Sequence, residues 1–249
     1  MTGRPLLSVE RVSVAYGEAR AVFDVTFEIP DGGALALLGA NGAGKSSVAG
    51  AIAGVVRPAS GRIVFDGRDI TGWPSHRVSR MGVAFVPEQR SIFPHLSVLD
   101  NVRVQIRYVV PRAERATAVE RALELFPVLA QRRRQPAGTL SGGEQQMLGL
   151  ARVLAAPPRV LIADEMSLGL APKLVDLVFE SLARARAEGV TTLLVEQYVD
   201  RALEFADDAL ILRRGEAVWQ GAASSAGPET LAGYLGDSVG GASESSPAS

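Results

Sequence analysis

Three things are missing from this sequence, and each absence excludes a class of protein or site. Cysteine is absent, which excludes disulfide bridges and metal sites built from thiolates. A basic excess is also missing: 26 Lys and Arg stand against 27 Asp and Glu, a balance that argues against a general nucleic-acid binder. No apolar run reaches about 18 residues, so we expect no bilayer-spanning segment and any work at a membrane to go through a partner.

The residues that are present predict a globular α/β protein. The chain has 249 residues, 47% of them apolar, which suits one large domain or a core domain with a smaller insert. Strand-like and helix-like stretches alternate, the pattern of a mainly parallel sheet. We predict strands at 6–14, 21–29, 34–38, 61–65, 83–86, 160–163, 191–195 and 209–212, and helices at 45–54, 111–126, 141–155 and 172–188.

The middle third of the chain differs from the rest. Apolar residues at helical spacing predominate there, so we predict a mostly helical insert at about 88–156. The core domain would then consist of about 1–87 and 157–236. The Ser/Gly-rich end, 237–249, is predicted to be disordered.

A glycine-rich segment follows the strand predicted at 34–38. It reads GANGAGKS and fits the phosphate-binding loop, with a strand before it and a helix after it. Glycines let backbone N–H groups approach phosphate oxygens, and the helix start adds its positive end. We expect Lys45 to reach the β- and γ-phosphates and Ser46 to bind Mg²⁺. The alternative is a glycine-rich turn with a solvent-exposed lysine.

Two adjacent carboxylates end the strand predicted at 160–163. Side chains alternate along a strand, so Asp164 and Glu165 cannot play the same role. We expect Asp164 to hold the Mg²⁺ shell and Glu165 to act as general base toward the attacking water, or to orient it. A plain strand exit is the alternative, and the phosphate-binding loop upstream favours the functional interpretation.

The segment LSGGEQQ at 140–146 is typical of a helix start. Ser141 is a natural N-cap, and Glu144 would complete a capping box. The double glycine needs a further reason, because glycine weakens the first turn of a helix. A bare helix start can approach an anion closely.

These three motifs in this order resemble the ATP-binding cassette family over about residues 6–235. The resemblance implies a P-loop NTPase fold of the RecA-like kind, with a mainly parallel sheet core, an N-terminal antiparallel β-subdomain and an inserted helical subdomain. It also implies ATP hydrolysis by two cassettes paired head to tail, so that the LSGG helix of one contacts the γ-phosphate held by the other. Tyr16 stands where the family places an aromatic ring against adenine.

Three positions depart from the family pattern. The glutamine expected to touch Mg²⁺ after the strand at 83–86 falls on Glu88, with Gln89 as the alternative one residue later. The aspartate that helps to join the cassettes is replaced by Ala171. A histidine expected near the γ-phosphate is replaced by Gln197, which can position water but cannot take up a proton. Glu196 beside it is expected to face solvent or the opposing subunit.

These departures resemble one branch of the family, the LivF-type ATP-binding subunits of branched-chain amino acid importers. Membership would imply a second cassette, identical or paralogous, two transmembrane permeases, an indirect extracytoplasmic solute-binding protein and a place at the cytoplasmic face of the plasma membrane. The alternatives are a non-transport cassette ATPase, or a subunit serving another small solute or lipid export.

The predicted site groups residues by role. Catalysis is assigned to Glu165 and Gln197. Mg²⁺ binding is assigned to Ser46, Asp164 and Glu88. The predicted ATP contacts are Tyr16, Gly39, Ala40, Asn41, Gly42, Ala43, Gly44, Lys45, Ser46, Ser47, Ser141, Gly142, Gly143 and Glu144.

Overall fold

The computed structural model describes residues 4–88, 92–227 and 231. The strands are β1 (Pro5–Tyr16), β2 (Ala19–Pro30), β3 (Ala34–Leu38), β4 (Ser60–Phe65), β5 (Arg68–Asp69), β6 (Val83–Val86), β7 (Val160–Asp164), β8 (Thr191–Glu196), β9 (Asp208–Arg213) and β10 (Glu216–Ala222). The α-helices are α1 (Lys45–Ile52), α2 (Ser75–Arg80), α3 (Val98–Val109), α4 (Arg115–Leu125), α5 (Pro127–Gln131), α6 (Gly142–Leu154), α7 (Pro172–Ala187) and α8 (Val199–Phe205). Short 3₁₀ turns occupy Arg112–Glu114, Ala137–Thr139 and Ala223–Ser225.

Two sheets form the frame. The four-stranded sheet has the order β2-β1-β4-β5 and is antiparallel throughout. The six-stranded sheet has the order β10-β9-β3-β8-β7-β6; it is parallel except for β10, which pairs antiparallel with β9. The predicted fold class, with its parallel core, its antiparallel N-terminal sheet and its helices α3–α6 between β6 and β7, is confirmed.

The central strands are buried on both faces, which explains their unbroken apolar runs. In β3, Leu35 and Leu37 point into the core that β1, β2 and α1 share. The alternate residues Ala36 and Leu38 point into the other core, which helices α3 to α8 fill. Because of this alternation, the sheet lies between two separate apolar cores.

The four predicted helices all end one or two residues earlier than the sequence pattern suggested. The helix predicted at 111–126 begins with a 3₁₀ turn and ends at Leu125, since Phe126 has φ −135° and ψ 92°. Pro127 is the cause, because a residue before proline is sterically pushed out of the helical region. The predicted boundaries of the insert stay predictions, and the tail predicted at 237–249 lies outside the described residues.

Within the described residues no helix is both long enough and apolar enough to cross a membrane.

The segment that leads into α3 is held by one buried amide. Asn101 is fully buried, and its side chain accepts from Phe93 N at 2.7 Å. Its amide nitrogen donates to the carbonyls of Phe93, Leu96 and Ser97 at 2.9, 3.3 and 3.0 Å. One side chain thus joins four backbone groups of this turn. The three carbonyls also accept from backbone N–H groups, whereas Phe93 N–H donates to Asn101.

We expect Asn101→Ala to destabilise the protein by about 2 kcal/mol, because it removes these hydrogen bonds from a fully buried site and leaves the Phe93 N–H without its acceptor. Arg103→Ala, on the exposed face of the same helix, is the control and should change stability by less than about 0.5 kcal/mol. Urea unfolding of both variants measures the difference. Equal midpoints for the two variants would contradict the prediction.

Candidate active site

The phosphate-binding loop lies between β3 and α1 and is tightly enclosed by backbone. Gly39 and Gly44 have φ of 152° and 102°, in the region that favours glycine. A Cβ at Gly39 would lie 2.4 Å from the carbonyl oxygen of Leu212, and one at Gly44 would lie 2.7 Å from that of Ala21. Glycine is therefore required at both positions by the chain itself, and the loop keeps a shape in which its N–H groups can surround a phosphate.

Lys45 is held inside this loop. Its side chain is 3% exposed, and Nζ donates to the Gly39 carbonyl at 2.9 Å. Nζ also lies 3.0 Å from a carboxylate oxygen of Glu165, whose side chain is 8% exposed. A buried charge of this kind needs a partner, and here the lysine joins the loop to the end of β7.

Ser46 and Asp164 meet on the other side of the loop. The Ser46 hydroxyl donates to Asp164 Oδ1 at 3.2 Å. Burial raises the pKa of Asp164 to about 6, and the nearby carboxylates of Glu165 and Glu88 act in the same direction. The Ser46 hydroxyl and these nearby carboxylates are hard oxygen donors. Such donors are the ligands that fit Mg²⁺ when it is bound together with nucleotide phosphates.

A cavity of about 300 Å³ gathers the predicted residues. Asn41, Lys45, Ser46, Glu88 and Glu165 all line it. Glu88 is exposed at its edge and also lines a second, adjoining cavity. The alternative residue for that position, Gln89, lies outside the described residues.

Tyr16 stands beside the loop at the end of β1. Its ring is 53% exposed, and its hydroxyl lies 3.2 Å from Ser47 Oγ. An exposed aromatic face next to a phosphate-binding loop is available for stacking on a base. The structure thus places Tyr16 beside the loop, and its contact with adenine stays a prediction.

The start of α6 lines the second cavity, of about 600 Å³, and not the phosphate cavity. The predicted capping box is present: Ser141 Oγ accepts from Glu144 N at 3.3 Å, and Glu144 Oε2 accepts from Ser141 N at 2.9 Å. The other oxygen of Glu144 lies 3.3 Å from Arg132 Nε. Both oxygens of Glu144 therefore act in holding the helix start.

The two glycines of α6 differ in their surroundings. A Cβ at Gly143 would lie 2.6 Å from a methyl group of Leu174, which would have to shift to make room. A Cβ at Gly142 would meet no atom of the described residues within 4 Å, so these residues give no steric reason for glycine there.

The end of β8 corrects one expectation. Gln197 is exposed, immediately after the strand. Glu196, expected at the surface, is instead 1% exposed. Its carboxylate accepts hydrogen bonds from Ser167 N at 3.2 Å, from Ser167 Oγ at 2.5 Å and from Gln197 N at 3.3 Å. Both Ser167 and Glu196 were missed as site residues, because alternation along a strand does not tell which polar end residue turns inward.

A match to the family described as ABC transporter covers residues 22–167, from the second strand through the phosphate-binding loop and the LSGG helix to the turn after Glu165. This is more than half of the chain. The chain belongs to the ABC transporter family. It is an ATP-hydrolysing cassette of that family, and the family resemblance seen in the motifs is confirmed.

Curated relatives match the cassette over nearly its whole length. It is 41% identical to the high-affinity branched-chain amino acid transport ATP-binding protein BraG of Pseudomonas aeruginosa, over 93% of this chain and 100% of that protein. It is 35% identical to the probable branched-chain amino acid transport ATP-binding protein LivF of Archaeoglobus fulgidus, over 88% and 93%. BraF of Pseudomonas aeruginosa, which has the same description as BraG, is 29% identical over 94% and 99%.

A solved structure supports the fold of the cassette. The structure described as the ATP-binding subunit of an ABC transporter superposes with a TM-score of 0.79 at 28% identity, covering 87% of this chain and 90% of that one.

The buried Asp164 should make the stability of the cassette depend on pH. Its pKa in the folded protein, about 6, lies above the ordinary value of 3.8, so between these pH values the folded protein keeps a proton that the unfolded chain has released. The free energy of unfolding therefore falls as pH rises through this window, by at most about 3 kcal/mol.

Asp164→Asn removes this titration. In urea unfolding without nucleotide or Mg²⁺, we expect the variant to gain stability relative to the wild type as the pH is raised from 4 to 7. A difference that stays constant over this range would contradict the raised pKa.

Proposed function

We propose that this cassette powers the import of branched-chain or closely related amino acids through two separate transmembrane subunits, from a peripheral position at the cytoplasmic face of the membrane. The observation that carries the proposal is the 41% identity to BraG over the whole length of that relative. The intact loop, Asp-Glu strand end and LSGG helix support it, because each chemical group needed for hydrolysis is present.

The nucleotide would be bound by two kinds of contact. Tyr16 stacks on the adenine ring, and the backbone N–H groups of 39–47 surround the phosphates. Lys45 donates to the β- and γ-phosphates; to do so its Nζ leaves the Gly39 carbonyl, 2.9 Å away in this structure. Giving up this contact is offset by a charge-assisted bond to phosphate.

Ser46, Asp164 and Glu88 would hold Mg²⁺. When bound, the ion neutralises charge that develops on the phosphate oxygens during transfer. Ser46 and Asp164 are already within hydrogen-bond distance of each other, and Glu88 lines the same cavity as Ser46. Their arrangement supports this assignment.

Glu165 is the proposed general base. Its carboxylate lines the phosphate cavity and is nearly buried, 3.0 Å from Nζ of Lys45. Gln197, at the neighbouring strand end, would orient the water and the γ-phosphate without exchanging a proton. Proton transfer is thereby left to Glu165 alone.

A second cassette would complete the site. Ser141 and Gly142 lie on a cavity wall away from this chain's own phosphate loop, which supports contact with the nucleotide of a partner. We propose that the partner is a different cassette. The support is that Pseudomonas aeruginosa has two proteins of the same description, BraG and BraF, to which this chain is 41% and 29% identical.

The import function can be tested by uptake in cells from which the gene is deleted. We expect the deletion to abolish uptake of radiolabelled leucine at low external concentration, and a wild-type copy to restore it. Glu165→Gln should bind ATP but restore no uptake, because loss of a general base slows hydrolysis at least about a hundredfold. Glu180→Gln, an exposed glutamate on α7, is the control and should restore uptake fully.

Two results would contradict different parts of the proposal. If leucine uptake survives the deletion while uptake of an amide or of urea is lost, the substrate class is wrong. If Glu165→Gln restores transport, the assignment of the base is wrong.

The two glycines of α6 provide a test of the second cassette. Gly142→Ala meets open space within the chain, and alanine favours a helix by up to about 1 kcal/mol, so the isolated protein should keep its melting temperature. Hydrolysis by the assembled transporter should fall, because the added methyl obstructs the partner's nucleotide. Gly143→Ala should be less stable than Gly142→Ala, since its methyl group displaces that of Leu174, 2.6 Å away. Full hydrolysis by the Gly142 variant would argue against the contact.

A further inference from the structure

The buried carboxylate of Glu196 has no part in the chemistry described so far. Glu196 is the last residue of β8 and is 1% exposed. Ser167, which donates a hydrogen bond to it, is completely buried. Burial raises the pKa of Glu196, and the hydrogen bonds from Ser167 oppose that shift. Enclosing such a group is costly even when hydrogen bonds satisfy it, so its presence calls for a physical reason.

The turn after β7, to which Glu196 is hydrogen-bonded through Ser167, contains a strained residue. Glu165 has φ 47°, in the left-handed region. For a residue other than glycine this conformation costs about 1–2 kcal/mol, and it persists only where the surroundings impose it. The strain therefore coincides with the proposed general base.

Two anchors flank this strained residue, and both come from the end of β8. On one side, Glu165 N donates to the Val195 carbonyl at 2.8 Å. On the other side, Ser167 donates through both N and Oγ to the carboxylate of Glu196. The backbone between these anchors has little freedom to relax toward an ordinary conformation.

The same carboxylate also contacts the residue that follows it. Gln197 N donates to Glu196 Oε2 at 3.3 Å, the oxygen that also accepts from Ser167 Oγ. One buried group thus sets the distance between the turn after Glu165 and the backbone of Gln197.

We propose that Glu196 is a positioning residue that holds Glu165 in its strained conformation, through Ser167, and keeps Gln197 in register with it. This inference rests on the proposed role of Glu165 in hydrolysis. It predicts that weakening the bonds between Glu196 and Ser167 lowers the rate of the chemical step and leaves ATP binding intact.

The test uses Glu196→Gln and Ser167→Ala in the assembled transporter. Glutamine keeps the size of the side chain but replaces one acceptor oxygen by a donor, and Ser167→Ala removes only the hydroxyl. We expect kcat for ATP hydrolysis to fall about ten- to a hundredfold in each variant, as for a displaced catalytic group. KM for ATP should change less than about threefold, since the phosphate loop and Tyr16 are untouched.

A double variant and a control separate positioning from simple packing. If Glu196 acts through Ser167, the double variant should be little slower than the worse single variant. Ser181→Ala removes another buried serine hydroxyl, which donates within α7 to Leu177 O at 2.8 Å, and should leave kcat unchanged. Thermal unfolding of each variant reports the folded fraction, and kcat is calculated per folded protein.

Several outcomes would overturn the inference. An unchanged kcat in Ser167→Ala and Glu196→Gln would do so, as would a fall explained wholly by loss of folded protein. If Glu196→Gln does not fold, Ser167→Ala decides alone. Glu165→Gln distinguishes the underlying proposal: if that variant hydrolyses ATP at the wild-type rate, the role of Glu165 has failed. If it is inactive while the other two are normal, only the positioning role has failed.

Discussion

The carboxyl ends of β3, β7 and β8 lie side by side, and the chemistry of the site depends on that alignment. Leu38 is paired with Glu196, and Asp164 with Val195, so the residues that follow each strand meet at one edge of the sheet. Ligands of open parallel sheets generally bind at this edge. The register of these three strands therefore brings together the phosphate loop, the Asp-Glu pair and Gln197.

Among the described residues, negative charge exceeds positive charge at this edge. Of these residues, Lys45 is the cation that lines the phosphate cavity, together with the carboxylates of Glu88 and Glu165, and Asp164 contacts Ser46 of the same cavity. The excess of negative charge accounts in part for the raised pKa of Asp164. A bound triphosphate would add further negative charge. The site is therefore suited to a nucleotide that is bound together with a divalent cation.

Much of this site could be predicted because its signals are local. A phosphate loop is encoded in eight consecutive residues, and a capping box joins two residues three apart. The capping box of Ser141 and Glu144 is confirmed, while the contact of Lys45 with phosphate stays a prediction. The bond between Glu196 and Ser167 was not foreseen, because it joins residues 29 positions apart that only the pairing of β7 with β8 brings together. The catalytic role of Gln197 stays a prediction, since its position alone does not show what it contacts.

The placement of the helices α3–α6 has a consequence for how this chain folds. Strands β6 and β7 are neighbours in the sheet, yet residues 87–159 separate them. Closing a flexible loop of that length costs about 4 kcal/mol of chain entropy before any strand pairing stabilises it. Local helix formation shortens the effective loop, so the helices should collapse early and the parallel pair should form late in folding. The active site is then one of the last parts to be assembled, because its two adjacent carboxylates are the last residue of β7 and the residue that follows it.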